Sequence, residues 1–259
     1  MSVLLDVAGI SKRFGGLLAV DNAAFTVEAG AITSLIGPNG AGKTTAFNIV
    51  SGFLTPDGGK ISLRGEAIEG LQPFQIALRG MARTFQDPRV FPEMSVLDNV
   101  IVGVRQKGER PLWALLRGAE VDAQWKRARE KAEAILASVN LFERRHEQAS
   151  ALSFGEQRFL SIARALVSEP DIVLLDEPTV GLDRGSFGKL VDLMQHLVAQ
   201  EKKTILLIEH NMDVVMSISA KVVLMVQGAV VASGAPSQVR AHRSMVEAYL
   251  GKRHAAQGQ

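Results

Sequence analysis

Residues 37–45 read Gly-Pro-Asn-Gly-Ala-Gly-Lys-Thr-Thr, and their types and spacing point to phosphate chemistry. Glycines at 37, 40 and 42 let the backbone curl until its N–H groups face phosphate oxygens. Lys43 brings a point charge for the β- and γ-phosphates of a nucleoside triphosphate, and the Thr44 hydroxyl is a ligand for the accompanying Mg2+. The pattern G-x-x-x-x-G-K-[ST] requires a strand before it and a helix after it. Ala31–Ile36 is a short apolar run and Lys43–Val50 has helical spacing, so the context is met. The helix N-terminus adds its dipole. The competing account is a glycine-rich turn that happens to precede a lysine.

A second candidate is Ile172-Val173-Leu174-Leu175-Asp176-Glu177, an apolar strand ending in two carboxylates. At the carboxyl end of a strand Asp176 stands where open α/β sheets bind ligands, placed to hold Mg2+ through water. Glu177, next to it, is suited to polarise an attacking water as a general base. Two acids after an apolar strand are common in themselves; the phosphate loop upstream gives them meaning. A third element is Leu152-Ser153-Phe154-Gly155-Glu156-Gln157. Ser153 with Glu156 three residues on is a capping box, and Phe159, Leu160, Ile162, Ala163, Leu166 and Val167 supply an apolar helical face. A well-capped helix start is also an anion site, so structural and functional accounts are compatible.

The elements that must position these residues follow from periodicity. Leu4–Ile10 and Ala19–Val27 read as strands, and Pro56-Asp57-Gly58-Gly59 is a turn before the short strand Lys60–Leu63. From about Val96 to Phe142 strand signals are sparse, Gly108–Pro111 is a loop, and Asp122–Val139 is a long charged, alanine-rich helix. We expect a helical insertion over about 90–165. Beyond Glu169 strands and helices alternate: strands Asp171–Leu175, Thr204–Ile208 and Lys221–Val226, helices Gly185–Gln200 and Met212–Ser219. That order argues for a mostly parallel sheet with right-handed crossovers. The expected organisation is one domain over 3–250 with a polar, frayed tail at 251–259.

Bulk properties narrow the class. The chain has 259 residues, 47% hydrophobic and 22% charged, an ordinary globular composition. It contains no cysteine, which removes disulfide frameworks and cysteine zinc sites and suits a reducing cytoplasm. Its net charge of +2 is no argument for nucleic acid as a partner. The N-terminus lacks the basic and apolar regions of a signal peptide, and the most apolar runs are too short to span a bilayer, so a membrane role comes through a partner.

Taken in order, the three elements resemble the ATP-binding cassette family over roughly residues 3–250. The element 152–157 resembles the family signature, although Phe154 stands where glycine is commonest. The resemblance implies an α/β fold, a P-loop NTPase of cassette type with an N-terminal antiparallel β subdomain and a helical subdomain. It implies ATP and Mg2+ as ligands. Gln86 in Arg83-Thr84-Phe85-Gln86 resembles the Q-loop glutamine, which touches Mg2+ and the attacking water. Asp183 in Gly181-Leu182-Asp183 resembles the D-loop aspartate of the dimer interface. His210 resembles the switch histidine that contacts the γ-phosphate, and Phe14 the aromatic residue stacked on adenine; a core phenylalanine beside Gly15-Gly16 is the alternative for Phe14. The resemblance further implies a head-to-tail pair, in which residues 153–157 of one cassette face the ATP held by Lys43 of the other.

A finer resemblance is to the ATPases of branched-chain amino-acid importers. It rests on residues 83–92, on Glu209-His210-Asn211-Met212-Asp213-Val214-Val215-Met216, and on Glu247-Ala248-Tyr249-Leu250-Gly251. It implies a transport-coupled ATPase at the cytoplasmic face of the inner membrane. Its partners would be a second cassette (a non-identical paralogue, or a second copy), two permease subunits and a periplasmic binding protein. The extended segment around Gly103–Val121 matches the longer ATPase of such systems. Importers of urea, short amides or aromatic acids and a lipopolysaccharide exporter share much of the pattern. Cassette ATPases of DNA repair or of the ribosome need coiled coils, zinc-binding cysteines or a second cassette, and a small-molecule P-loop kinase would lack the element 152–157.

Overall fold

The structure, a computed structural model, describes residues 2–104 and 118–245. The segments Gly108–Pro111, Glu247–Gly251 and the tail 251–259 lie outside the described residues, as does most of the stretch Gly103–Val121. The chain divides into two compact units, Met1–Arg83 with Asp171–Pro178 and Met194–Gln259, and Thr84–Pro170 with Thr179–Leu193.

The first unit holds two sheets. β1 (Val3–Phe14), β2 (Leu17–Glu28), β4 (Gly58–Leu63) and β5 (Glu66–Ala67) form an antiparallel sheet in the order β2-β1-β4-β5. Leu5, Val7 and Ile10 of β1 and Val20, Phe25 and Val27 of β2 face inward, as a one-faced sheet requires. β1 and β2 both run further than hydrophobic alternation indicates, meeting at the Gly15-Gly16 turn. Ser11, Lys12 and Arg13 break the apolar pattern, but backbone pairing such as Lys12 with Val20 continues through them.

The second sheet has the order β10-β9-β3-β8-β7-β6, with β3 (Ile32–Ile36), β6 (Met81–Arg83), β7 (Ile172–Asp176), β8 (Thr204–Ile208) and β9 (Lys221–Val226) parallel. β10 (Ala229–Gly234) returns antiparallel at the edge. Every residue of β3, β7 and β8 is buried. Both faces of these strands are covered, which explains their continuous apolar runs. On one side Ala46, Phe47 and Val50 of α1 (Lys43–Val50) join a core that includes Leu35, Leu174 and Ile208 and the inward face of the antiparallel sheet. On the other, Val215 of α7 (Met212–Ile218) and Val239 of α8 (Pro236–Arg240) pack with Ile36, Val222 and Leu224. The short helix α2 (Pro73–Leu78) precedes β6.

The second unit is helical among the described residues. α3 (Val96–Ile101), α4 (Gly118–Ser138) and α5 (Phe154–Leu166) bury Val96, Val100, Ala132, Leu136, Phe159 and Leu160, and α6 (Arg184–Ala199) begins in it. By compactness the unit starts at Thr84 and takes in Thr179–Leu193 as well. A hydrophobic-pattern reading had no means of detaching that second stretch from the strand-helix alternation around it.

Candidate functional site

The loop between β3 and α1 has the conformation its glycines permit. Gly37, Gly40 and Gly42 have φ of 151°, 81° and 94°. Two of them are also pinned by space: a Cβ on Gly37 would lie 2.1 Å from the Met225 carbonyl oxygen, and one on Gly42 would lie 2.4 Å from that of Ala19. No side chain caps the start of α1, so its first N–H groups face the loop with the helix dipole behind them. Lys43 is buried and donates to the carbonyls of Gly37 at 2.7 Å and Pro38 at 3.0 Å. Asn39, Gly40 and Thr44 are exposed, Pro38 and Thr45 half-buried, and Ala41 buried, its carbonyl accepting from Gly228 N–H.

Asp176 ends β7 and is 6% exposed. Burial pushes its carboxyl up from the ordinary value, and Arg83 at the end of β6 pulls it back, with Lys43 contributing from the loop. Arg83 NH2 lies 3.1 Å from Asp176 Oδ2. Its NH1 donates to Asn48 Oδ1 and Ser51 Oγ, each at 2.7 Å, and Phe47 and Phe53 flank its guanidinium. Glu177 follows in a left-handed conformation, φ 47°, its N–H donating to the Ile208 carbonyl. A non-glycine residue held there costs roughly 1–3 kcal/mol and persists only where its surroundings impose it. Here they aim the carboxylate at the neighbouring strand end, where Glu177 Oε1 contacts His210 Nε2.

His210 is held from both sides. Glu209, 1% exposed, accepts the N–H of His210 at 2.9 Å and of Asn211 at 3.1 Å through one oxygen. Asn211 caps α7 by accepting from the N–H groups of Asp213 and Val214. Phe14, by contrast, lies at the tip of the β1–β2 hairpin and is 46% exposed, so it is not a core residue. Lys12 sits 5.9 Å from its ring and pairs with Asp57 at 2.8 Å, holding the Asp57 carboxyl below its usual range.

The other predicted residues belong to the second unit. Ser153 is the N-cap of α5: its Oγ accepts from Glu156 N–H at 3.3 Å, while its own N–H and hydroxyl donate to Glu156 Oε2 at 2.8 Å each. Arg144 NH1 donates to Glu156 Oε1 at 2.7 Å. Burial works against ionisation of Glu156, but Arg144 and Ser153 outweigh it and hold the carboxyl below its ordinary value. Gly155 is buried, where a Cβ would meet Ser186 Oγ at 3.0 Å. Gln157 donates to the Leu152 carbonyl at 3.2 Å. Asp183 is exposed and starts α6, its Oδ1 accepting from Gly185 and Ser186 N–H and its Oδ2 from the Ser186 hydroxyl. Gln86 is exposed, and its carbonyl accepts from Arg158. Thus Lys43, Asp176, Glu177 and His210 gather at adjacent ends of the parallel sheet, whereas Gln86, residues 153–157 and Asp183 form part of a separate unit.

Sequence reasoning missed three buried charged residues: Arg83, Glu209 and Arg158. Each stands within three positions of a residue that was singled out, at a strand end or on the polar side of a helix, where a charge carries no local sign of burial.

Strand ends carrying an acidic pair and a histidine, beside a glycine loop that opens a helix, define a P-loop nucleoside-triphosphatase fold. A family model described as ABC transporter matches residues 20–180. The high-affinity branched-chain amino acid transport ATP-binding protein LivG of Escherichia coli (strain K12) is 44% identical over 250 residues, which is 96% of this chain and 98% of that protein. BraF, of the same description, from Pseudomonas aeruginosa, is 43% identical over 96% of this chain and 98% of its own. Among solved structures, a nucleotide-free ATP-binding cassette from an ABC transporter aligns with TM-score 0.83 and 31% identity, covering 96% of this chain and 99% of that one. An ADP conformation of an ATP-binding cassette of an ABC transporter aligns equally well, with TM-score 0.83, 31% identity and 97% and 100% coverage. The chain belongs to the ABC transporter family, as one of its ATPase cassettes. No helix among the described residues is long and apolar enough to cross a membrane.

Proposed function

We propose that this chain binds and hydrolyses ATP as one of two cassettes that drive a membrane importer of branched-chain amino acids. The observation that carries the enzymatic part is the juxtaposition of the Lys43 loop with Asp176, Glu177 and His210. The N–H groups of 40–45 bind the phosphates, and Phe14 offers its exposed face to the adenine. Lys43 exchanges the carbonyls of Gly37 and Pro38 for the β- and γ-phosphate oxygens. A hydroxyl and a water-linked carboxylate suit Mg2+, a hard cation that keeps most of its waters and takes few protein ligands. Thr44 and Asp176 would hold it, with Gln86 as the family resemblance implies. When bound it neutralises phosphate charge.

A water then attacks the γ-phosphorus while the bond to the β-γ bridging oxygen breaks, and Glu177 Oε1 takes the proton. His210, locked by Glu209 and Asn211, holds that carboxylate in line and offers its ring to the γ-phosphate. Ser153, Phe154, Gly155, Glu156 and Gln157 act on the ATP of the opposite cassette, with Asp183 at the interface. The Ser153 hydroxyl turns from Glu156 to meet that phosphate.

Extensive identity to LivG and BraF supports the substrate class. We infer that the second cassette is a paralogue, and that two permeases and a periplasmic binding protein complete the assembly on the cytoplasmic side of the membrane. The test is uptake into proteoliposomes carrying the assembled complex. ATP-dependent accumulation of leucine, isoleucine or valine, lost with Lys43→Ala, is expected. Hydrolysis stimulated by urea or an aromatic acid alone, or export of a lipid, would overturn the importer assignment and leave the ATPase.

A further inference from the structure

Two residues of α5 do something that neither capping nor core packing explains. Phe154 occupies the place where the signature element most often has glycine, and Arg158, a turn further on, is 2% exposed despite its charge. The Arg158 guanidinium lies 5.2 Å from the Phe154 ring centroid. Its NH1 donates to the carbonyls of Phe85, at 3.3 Å, and of Gln86, and its NH2 to that of Val180 at 3.3 Å. The same ring closes over Gly181, whose φ is 79° and where an added Cβ would come within 3.0 Å of Phe154 Cε1. One planar cation and one ring therefore join three segments distant in sequence: Phe85–Gln86, the first turn of α5, and Val180–Gly181.

The chemistry favours arginine for this task. A guanidinium presents donors along several edges of a rigid plane, so it serves carbonyls in different directions while an aromatic ring covers its face. A lysine ammonium, a compact head on a flexible stem, cannot hold the same fork. A buried cation also needs its donors satisfied, so the carbonyls and the guanidinium fix one another.

We propose that Phe154 and Arg158 are a positioning pair that makes the Gln86 loop, the Val180–Gly181 turn and the Ser153 end of α5 shift as one piece. Displacement of the Gln86 backbone is thereby passed to Ser153. The consequence for hydrolysis rests on the shared-site reading given above; the mechanical tie does not.

The experiment uses the purified transporter complex with Arg158→Met, Arg158→Lys and Phe154→Leu, read by hydrogen exchange and by steady-state ATP hydrolysis. In Arg158→Met the amides of 85–87 and 180–182 should exchange faster together, by about tenfold, while β3 and β7 keep their protection. The kcat for ATP should fall by roughly tenfold, with KM held within about twofold because the Lys43 loop is untouched. Arg158→Lys should recover part of both effects. Phe154→Leu, at a 45% exposed position, should give the same paired pattern more weakly and serves if Arg158→Met does not fold. Acceleration of one segment without the other, or uniform acceleration across the whole chain, would overturn the tie. If Ser153→Ala leaves hydrolysis at the wild-type rate while the paired exchange response persists, the shared-site reading fails and the tie stands.

Discussion

The two units hold their chemical groups by opposite means. In the first, Asp176, Glu177 and His210 are fixed by buried partners and by backbone that few other conformations replace: the Arg83 ion pair, a left-handed Glu177, and Glu209 taking two backbone N–H groups. In the second, Ser153 and Asp183 sit exposed at helix starts and satisfy themselves with local bonds to Glu156 and Ser186. Buried polar partners are costly to break, while exposed caps exchange readily for water or ligand. The difference matches a division of labour. Under the proposed function, groups that would act on a phosphate bound in their own unit are set in advance, and groups that would face another molecule are held in reserve by bonds they can give up.

The largest expected effect tests the preset half. Glu177→Gln should retain nucleotide binding yet lower hydrolysis at least about 10²–10⁴-fold, the range for a lost general base; turnover near wild type in the variant complex would exclude Glu177 from that role. Next comes Arg83→Met, which leaves Asp176 buried without its cation. A loss of about 3–5 kcal/mol in chemical denaturation is expected, much reduced when Asp176→Asn is added. Additive losses would show that the pair is not what holds the strand ends.

Ser153→Ala tests the reserve half. It should cost about 1 kcal/mol of stability, as for a lost cap, but reduce hydrolysis by the complex more than that loss explains, with ATP binding by the isolated chain unchanged. A purely structural cap would lower stability and leave the rate per folded molecule intact. The smallest effect concerns pH. The Glu156 carboxyl is held below its ordinary value, so its contribution is present above the unfolded-state pKa and disappears as pH falls through the folded one. Glu156→Gln should therefore flatten the acid limb of the stability profile below about pH 4.5. An unchanged acid limb would mean that Arg144 and Ser153 do not hold that carboxylate ionised.

Much of this was legible in the sequence, and for a physical reason. The glycine loop, the acid-ended strand and the capping box are local devices, each needing only a few adjacent residues of fixed type. The buried strands were legible as apolar runs. What escaped depends on residues far apart in the chain. Arg83 reads as a strand-end charge until Asp176, Asn48 and Ser51 close around it. Arg158 reads as the polar side of a helix until three carbonyls arrive from elsewhere. Phe14 was ambiguous because β1 was expected to stop at Ile10, and only the pairing through Ser11–Arg13 carries it to an exposed hairpin tip. The residues of the two units are also interleaved along the chain, which no local pattern reveals.

The backbone at Glu177 has one more implication. At φ 47° glycine would sit there with less strain, a relief of about 1 kcal/mol or more. A screen that rewarded folding alone would drift toward glycine at this position, and, under the role proposed for Glu177, the winning clones would be sturdier and inert. Consensus-style stabilisation of this cassette should therefore leave residue 177 alone, since thermal robustness and turnover pull it in opposite directions.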